Sequence, residues 1–164
     1  MHRVLIAAVA ALALVACHKP AENAGPTPAQ NLAAGQAFLA NNKTAPGVVT
    51  TPSGLQYKII SSGPASGVHP KPSDEVKVNY EGHLIDKERT VFDSSYKDGT
   101  PIIFVLNQVV PGWTEALQLM KPGDKWEVWL PANLAYGEQD KGVIPPNSTL
   151  DFTIELLDVF PHPG

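Results

Sequence analysis

Val109-Val110-Pro111-Gly112-Trp113-Thr114-Glu115-Ala116-Leu117-Gln118-Leu119-Met120 decides how this chain is organised. Trp113, Leu117 and Met120 are spaced four and then three apart, so a short helix carries them on one face. Pro111 and Gly112 are turn residues expected just outside the helical start. Lys121 suits the negative end of the helix dipole, and Pro122-Gly123-Asp124 stops the helix. Strand-like runs lie before and after it. A single short helix among strands has to be covered by a sheet, and the residues leading into it then form the floor of a pocket. Spacing alone leaves open whether Trp113 is that floor or only fills the core.

Outward from the helix, the pattern has period two. Leu55, Tyr57 and Ile59 alternate with Gln56 and Lys58. Val76, Val78, Tyr80 and Leu84 alternate with Lys77, Asn79, Glu81 and His83, and Val91-Phe92-Asp93-Ser94-Ser95 follows a polar hairpin at Asp86–Arg89. Ile102, Phe104 and Leu106 share a face, as do Trp126, Val128 and Leu130, with Glu127 and Trp129 opposite. The last strand sets Leu150, Phe152, Ile154 and Leu156 against Asp151, Thr153 and Glu155. One apolar face per strand, hairpin-like loops and no long crossover helices mean a mostly antiparallel sheet. The expected fold class is α+β: a twisted antiparallel half-barrel sheet wrapped around one short helix, behind an N-terminal signal and tether segment.

Arg3 followed by an unbroken apolar run from Val4 to Val15 is too short for a membrane span and fits a signal peptide. The run ends in Leu14-Val15-Ala16-Cys17, which resembles a bacterial lipobox, with cleavage after Ala16 and lipid on Cys17. A plain signal peptide with an incidental thiol is the other reading. His18 after Cys17 lacks the Asp that often retains such lipoproteins in the inner membrane. The expected location is therefore the cell envelope, lipid-anchored at the outer membrane and facing the periplasm. Residues 17–47 look like a flexible, Pro- and Ala-rich tether with a possible short helix at 31–40, and residues 48–164 form the folded domain.

The formal charge of −4, which loss of Arg3 with the leader takes to about −5, argues against nucleic acid as a partner. Phosphate-binding, dinucleotide and Ser-hydrolase motifs are absent from the sequence. None of the five His has metal-ligand spacing, and the single Cys is the expected lipid site, so neither a metal nor a cofactor is expected. Glu81 and His83 share a strand face and could pair as acid and base, although a solvated outer face explains them more simply. An enzyme built on this chain works without nucleophile, metal or bound phosphate.

Several stretches, in this order, resemble the FKBP-type peptidyl-prolyl cis/trans isomerases: Val76–Gly82, Val91–Ser95, Val109–Trp113, Leu134–Gly137 and Ile144–Leu150. Val49–Tyr57 further resembles the bacterial macrophage-infectivity-potentiator branch. The resemblance implies a pocket in which Asp93, Tyr136 and Tyr80 are catalytic, while Phe92, Phe104, Val109, Val110, Trp113, Ile144 and Phe152 bind substrate. It implies proline-containing polypeptides as substrates and macrolides of the FK506/rapamycin type as ligands. In that reading Trp113 is the floor under the proline ring, and the Ile144 N–H and Tyr136 hydroxyl contact substrate carbonyls. Asp93 either orients Tyr80 or polarises the surroundings of the twisted amide. Asp93 could also be an Asx-turn residue, Tyr136 a structural corner tyrosine, and the three Phe ordinary core. Ile102 stands where many members carry an aromatic residue, and the Glu138–Lys141 loop is short. The competing class is an FKBP-like binding or chaperone module with weak catalysis, for which Trp129 would be an exposed contact unless it packs under the 31–40 helix.

Overall fold

A computed structural model of the chain describes residues 25–162. The expected leader at 1–16, Cys17 and the first part of the tether lie outside those residues. Two helices, α1 (Pro28–Asn42) and α2 (Pro111–Leu119), accompany seven strands. The strands are β1 (Val48–Thr50), β2 (Gln56–Ser61), β3 (Glu75–Leu84), β4 (Val91–Ser94), β5 (Ile102–Val105), β6 (Lys125–Leu130) and β7 (Leu150–Phe160). Their order is β1-β2-β6-β7-β3-β4, and β5 also pairs with β3, every pair being antiparallel. The fold is α+β, as the alternation predicts.

The period-two pattern becomes two faces. Val76, Val78 and Tyr80 of β3, Trp126, Val128 and Leu130 of β6, and Leu150, Phe152, Ile154 and Leu156 of β7 are buried on the concave side. Trp113, Ala116 and Leu117 of α2, with Met120 just beyond it, fill that concavity. Burial of each large aliphatic side chain contributes roughly 1.5–3 kcal/mol, so this shared face is the main source of stability.

The helix α2 starts earlier than its apolar spacing suggests. Pro111 occupies the first helical position, where its missing N–H would be unpaired anyway and its fixed φ suits the turn. Gly112 lies inside the helix because a Cβ there would stand 2.5 Å from Leu130 Cγ of β6. Lys121 falls past the helix end instead of capping it, and its ammonium bonds Asp124 Oδ1 at 2.8 Å. Burial raises the Asp124 carboxyl, but the Lys121 ammonium and the Gly63 and Lys121 N–H groups outweigh it and hold the pKa below the usual range.

Helix α1 is longer than the expected 31–40. Thr27 and Gln30 form a capping box, and Pro28 takes the first position. Its apolar stripe is weak: Gly35 is its buried residue and Leu32 is 41% exposed. Polar contacts seat it instead. Asn31 Nδ2 donates to Pro146 O at 3.0 Å, Asn42 Nδ2 to Gln56 Oε1 at 3.0 Å, and Gln56 Nε2 to Leu39 O at 2.9 Å. Trp129 sits between Gln56 and Asp151 in the strand register and is buried, so it offers no exposed contact.

Candidate active site

The cavity opens where α2 begins. Trp113 is its floor, 3% exposed, with an Nε1–H that donates to no atom of the described residues. Tyr80, Phe152 and Phe104 stand nearly perpendicular to the indole, with ring centroids 5.1, 5.3 and 5.6 Å away. Phe92 packs edge-on to Phe152 at 5.4 Å. Edge-to-face contacts add about 0.5–1.5 kcal/mol each beyond area, so the floor and walls form one rigid unit. Gly82 makes this possible, because a Cβ there would meet the Phe92 ring at 2.5 Å and the Phe152 ring at 2.7 Å.

The polar equipment is sparse. The Tyr80 hydroxyl donates to Asp93 Oδ2 at 2.6 Å, and the Ser94 N–H donates to Asp93 Oδ1 at 2.9 Å. Both carboxylate oxygens are thereby held. Burial first, and then the Asp93 carboxylate, push the Tyr80 hydroxyl well above its ordinary pKa, so it remains a neutral donor at physiological pH. Tyr136 also lines the cavity, with Lys141 Nζ 5.4 Å from its ring centroid. Among the described residues its hydroxyl makes no hydrogen bond, unlike a structural corner tyrosine. The volume is about 310 Å³, at the lower end of small-ligand cavities and enough for one proline ring with its amide.

A short 3-10 turn at Leu106–Gln108 leads into Val109 and Val110, which close the rim. Gln108 also lines the cavity, a residue that the sequence pattern does not single out. Its position immediately before Val109 was the available signal. The structure thus brings together Tyr80, Phe92, Asp93, Phe104, Val109, Val110, Trp113, Tyr136 and Phe152. Ile144 is not in the wall: its side chain is 6% exposed and belongs to the core. Among the described residues no hydrogen bond occupies its N–H, while its carbonyl accepts from Lys141 N at 3.1 Å. Ile102 packs against the core without lining the cavity. Cys17 lies outside the described residues.

Residues 67–157 match the family model described as FKBP-type peptidyl-prolyl cis-trans isomerase. The chain belongs to this family. Every cavity-lining residue falls within the matched range. Residues 7–59 match the model for the domain amino-terminal to FKBP-type isomerases, so α1 lies in that second FKBP-associated segment. The outer membrane protein MIP of Legionella longbeachae is 56% identical over 131 residues, covering 79% of this chain and 54% of that protein. The peptidyl-prolyl cis-trans isomerase Mip of Coxiella burnetii is 54% identical over 125 residues, covering 76% and 53%. The chain therefore spans about half the length of these FKBP relatives. Among solved structures, FkpA from Escherichia coli superposes with a TM-score of 0.77 at 46% identity, covering 83% of this chain and 62% of that one. A Pseudomonas syringae peptidyl-prolyl isomerase gives 0.74 at 35% identity, covering 85% and 99%.

Proposed function

We propose that this chain accelerates cis/trans rotation about X–Pro bonds in polypeptides of the bacterial envelope. The observation that carries the reading is the aromatic cavity over Trp113 with a single fully bonded Tyr80–Asp93 pair at its wall. Rotation about an X–Pro bond faces a barrier near 20 kcal/mol because resonance is lost at the twist. Lowering it by about 5 kcal/mol gives several-thousand-fold acceleration. No covalent bond has to break. The planar amide is more dipolar than the twisted one, so a dry aromatic cavity disfavours the ground state relative to the transition state.

In this reading the proline ring rests on Trp113 between Tyr80, Phe92, Phe104 and Phe152, with Val109 and Val110 at the rim. The Tyr136 hydroxyl and the Ile144 N–H are the donors for substrate carbonyls. Asp93 fixes Tyr80, which supports the orienting role over the polarising one. No proton is transferred, so the rate is nearly flat between about pH 6 and 8. The same cavity is the seat for macrolides of the FK506/rapamycin type.

Once the leader at 1–16 is removed, lipid on Cys17 would tether the domain to the envelope, at the outer membrane facing the periplasm. The name of the Legionella relative, an outer membrane protein, supports this placement. Among the described residues no helix is long and apolar enough to cross a membrane.

The test is an isomerisation assay on short X–Pro peptides with the full chain, its Tyr136→Phe variant, and rapamycin as competitor. Catalysis that rapamycin blocks and the variant weakens is the expected result. A well-folded chain that leaves the uncatalysed rate unchanged would move the reading to a binding module.

A further inference from the structure

We propose that helix α1 is a positioning element of this site, holding Tyr136 and Ile144 through the 145–149 loop; the proposal rests on the site reading above. Three contacts join the helix to that loop. Gly35 approaches Thr149 so closely that a Cβ would overlap the Thr149 hydroxyl and stand 3.1 Å from its Cβ. Asn31 Nδ2 donates to Pro146 O at 3.0 Å, and Asn147 Nδ2 donates to Pro28 O at 3.4 Å.

The loop passes these contacts on to the cavity. Asn147 is held at φ 61, a left-handed conformation that a non-glycine residue adopts at some cost and Asn most readily. That conformation comes with its N–H donating to Gly137 O at 2.7 Å. Gly137 directly follows Tyr136 and itself has φ 57. On the other side of the loop, Ile144 precedes Pro145, whose carbonyl accepts from the Ser148 hydroxyl at 2.7 Å. One helix therefore bears on both donors assigned to the substrate carbonyls. The sheet does not depend on it, because the β3–β7 ladder is already closed from Glu75–Phe160 to Leu84–Leu150.

Gly35→Ala in the full chain separates the two effects. Alanine is the better helix former, so α1 itself is strengthened while its seat on Thr149 is blocked. We expect kcat/KM on an X–Pro peptide to fall roughly three- to tenfold, as a displaced positioning group does. The Asn31 side-chain amide and the Gly137 and Ile144 backbone amides should shift together in NMR spectra. Adding Thr149→Ala removes the hydroxyl that the new methyl group would strike, leaving only the 3.1 Å approach of the two Cβ atoms, and should move the rate and the shifts back toward the wild type. Asn31→Ala, a milder change, should reproduce the direction of the shifts even if Gly35→Ala folds poorly.

The proposal is overturned if the Asn31 amide moves while Gly137, Ile144 and kcat/KM do not. It is equally overturned if Gly35→Ala leaves all of them unchanged, or if Thr149→Ala fails to rescue. A wild-type chain without isomerase activity would defeat the site reading alone, since the amide shifts still decide whether α1 positions the loop.

Discussion

Phe152 and Asp151 are neighbours on β7 and face opposite ways. Phe152 turns into the concave cavity, where aromatic rings meet edge-on and the buried Tyr80 hydroxyl is bonded to Asp93 at the cavity's exposed edge. Asp151 turns to the convex side and is as deeply buried, at 4% exposed, but less well served. Arg89 Nη2 reaches its Oδ2 at 2.6 Å from a left-handed φ of 49 and also lies 3.5 Å from Glu127. Among the described residues Asp151 Oδ1 has no hydrogen-bond partner, and neither does Nδ1 of His83, directly opposite in the register. Burial pushes the Asp151 carboxyl up to about 6; Arg89 pulls it down, Glu127 raises it, and the Trp129 indole lowers it. Burial on the concave face stabilises the fold and leaves a largely aromatic pocket. On the convex face burial desolvates charges that are only partly paired, which is a burden on stability.

The largest test of this contrast is Trp113→Ala. Removing the floor should destabilise the chain by about 3–5 kcal/mol in urea unfolding. A smaller loss would mean that the rings do not act as one unit.

Asp151→Asn tests the convex side. The folded state holds the Asp151 proton more tightly than the unfolded chain, whose pKa is near 3.9. The wild type's stability from this group is therefore complete below about pH 4 and is lost as pH rises through about 6. Relative to Asp151→Asn, the wild type should weaken by about 2–3 kcal/mol between pH 4 and 7.5, followed by urea unfolding across that range. A constant difference between the two would show that Asp151 is ordinarily ionised.

Tyr80→Phe removes one bond to Asp93 and should cost about 1–2 kcal/mol, read from the same unfolding curves. The smallest change is expected for Glu81→Gln. Its carboxylate pairs His83 at 3.1 Å on the convex face but is 38% exposed. Stability should move by less than about 0.5 kcal/mol, and peptide turnover should not change. A larger fall in turnover would bring the convex face into the chemistry.

The concave face was legible because period-two alternation and the Trp113–Met120 spacing both record apolar burial. What the hydropathy pattern does not record is polar burial. His83 reads as a residue of a solvated face, yet its side chain is 12% exposed beside Glu81. Helix α1 escapes the same way. Its docking uses the amides of Asn31 and Asn42 and the missing side chain of Gly35, none of which makes an apolar stripe. The start of α2 at Pro111 follows from the proline's own geometry and not from side-chain spacing. Ile144 carries a core side chain and an N–H that no acceptor among the described residues takes up, and residue type alone shows only the first.

The most direct test compares the two faces in one assay. It measures kcat/KM for X–Pro isomerisation with Asp93→Ala and with Asp151→Asn, each as the full chain at neutral pH. If the concave cavity does the work, Asp93→Ala should fall at least about tenfold while Asp151→Asn stays within about twofold of the wild type. Equal losses in the two variants, or an Asp93→Ala variant as fast as the wild type, would contradict that assignment.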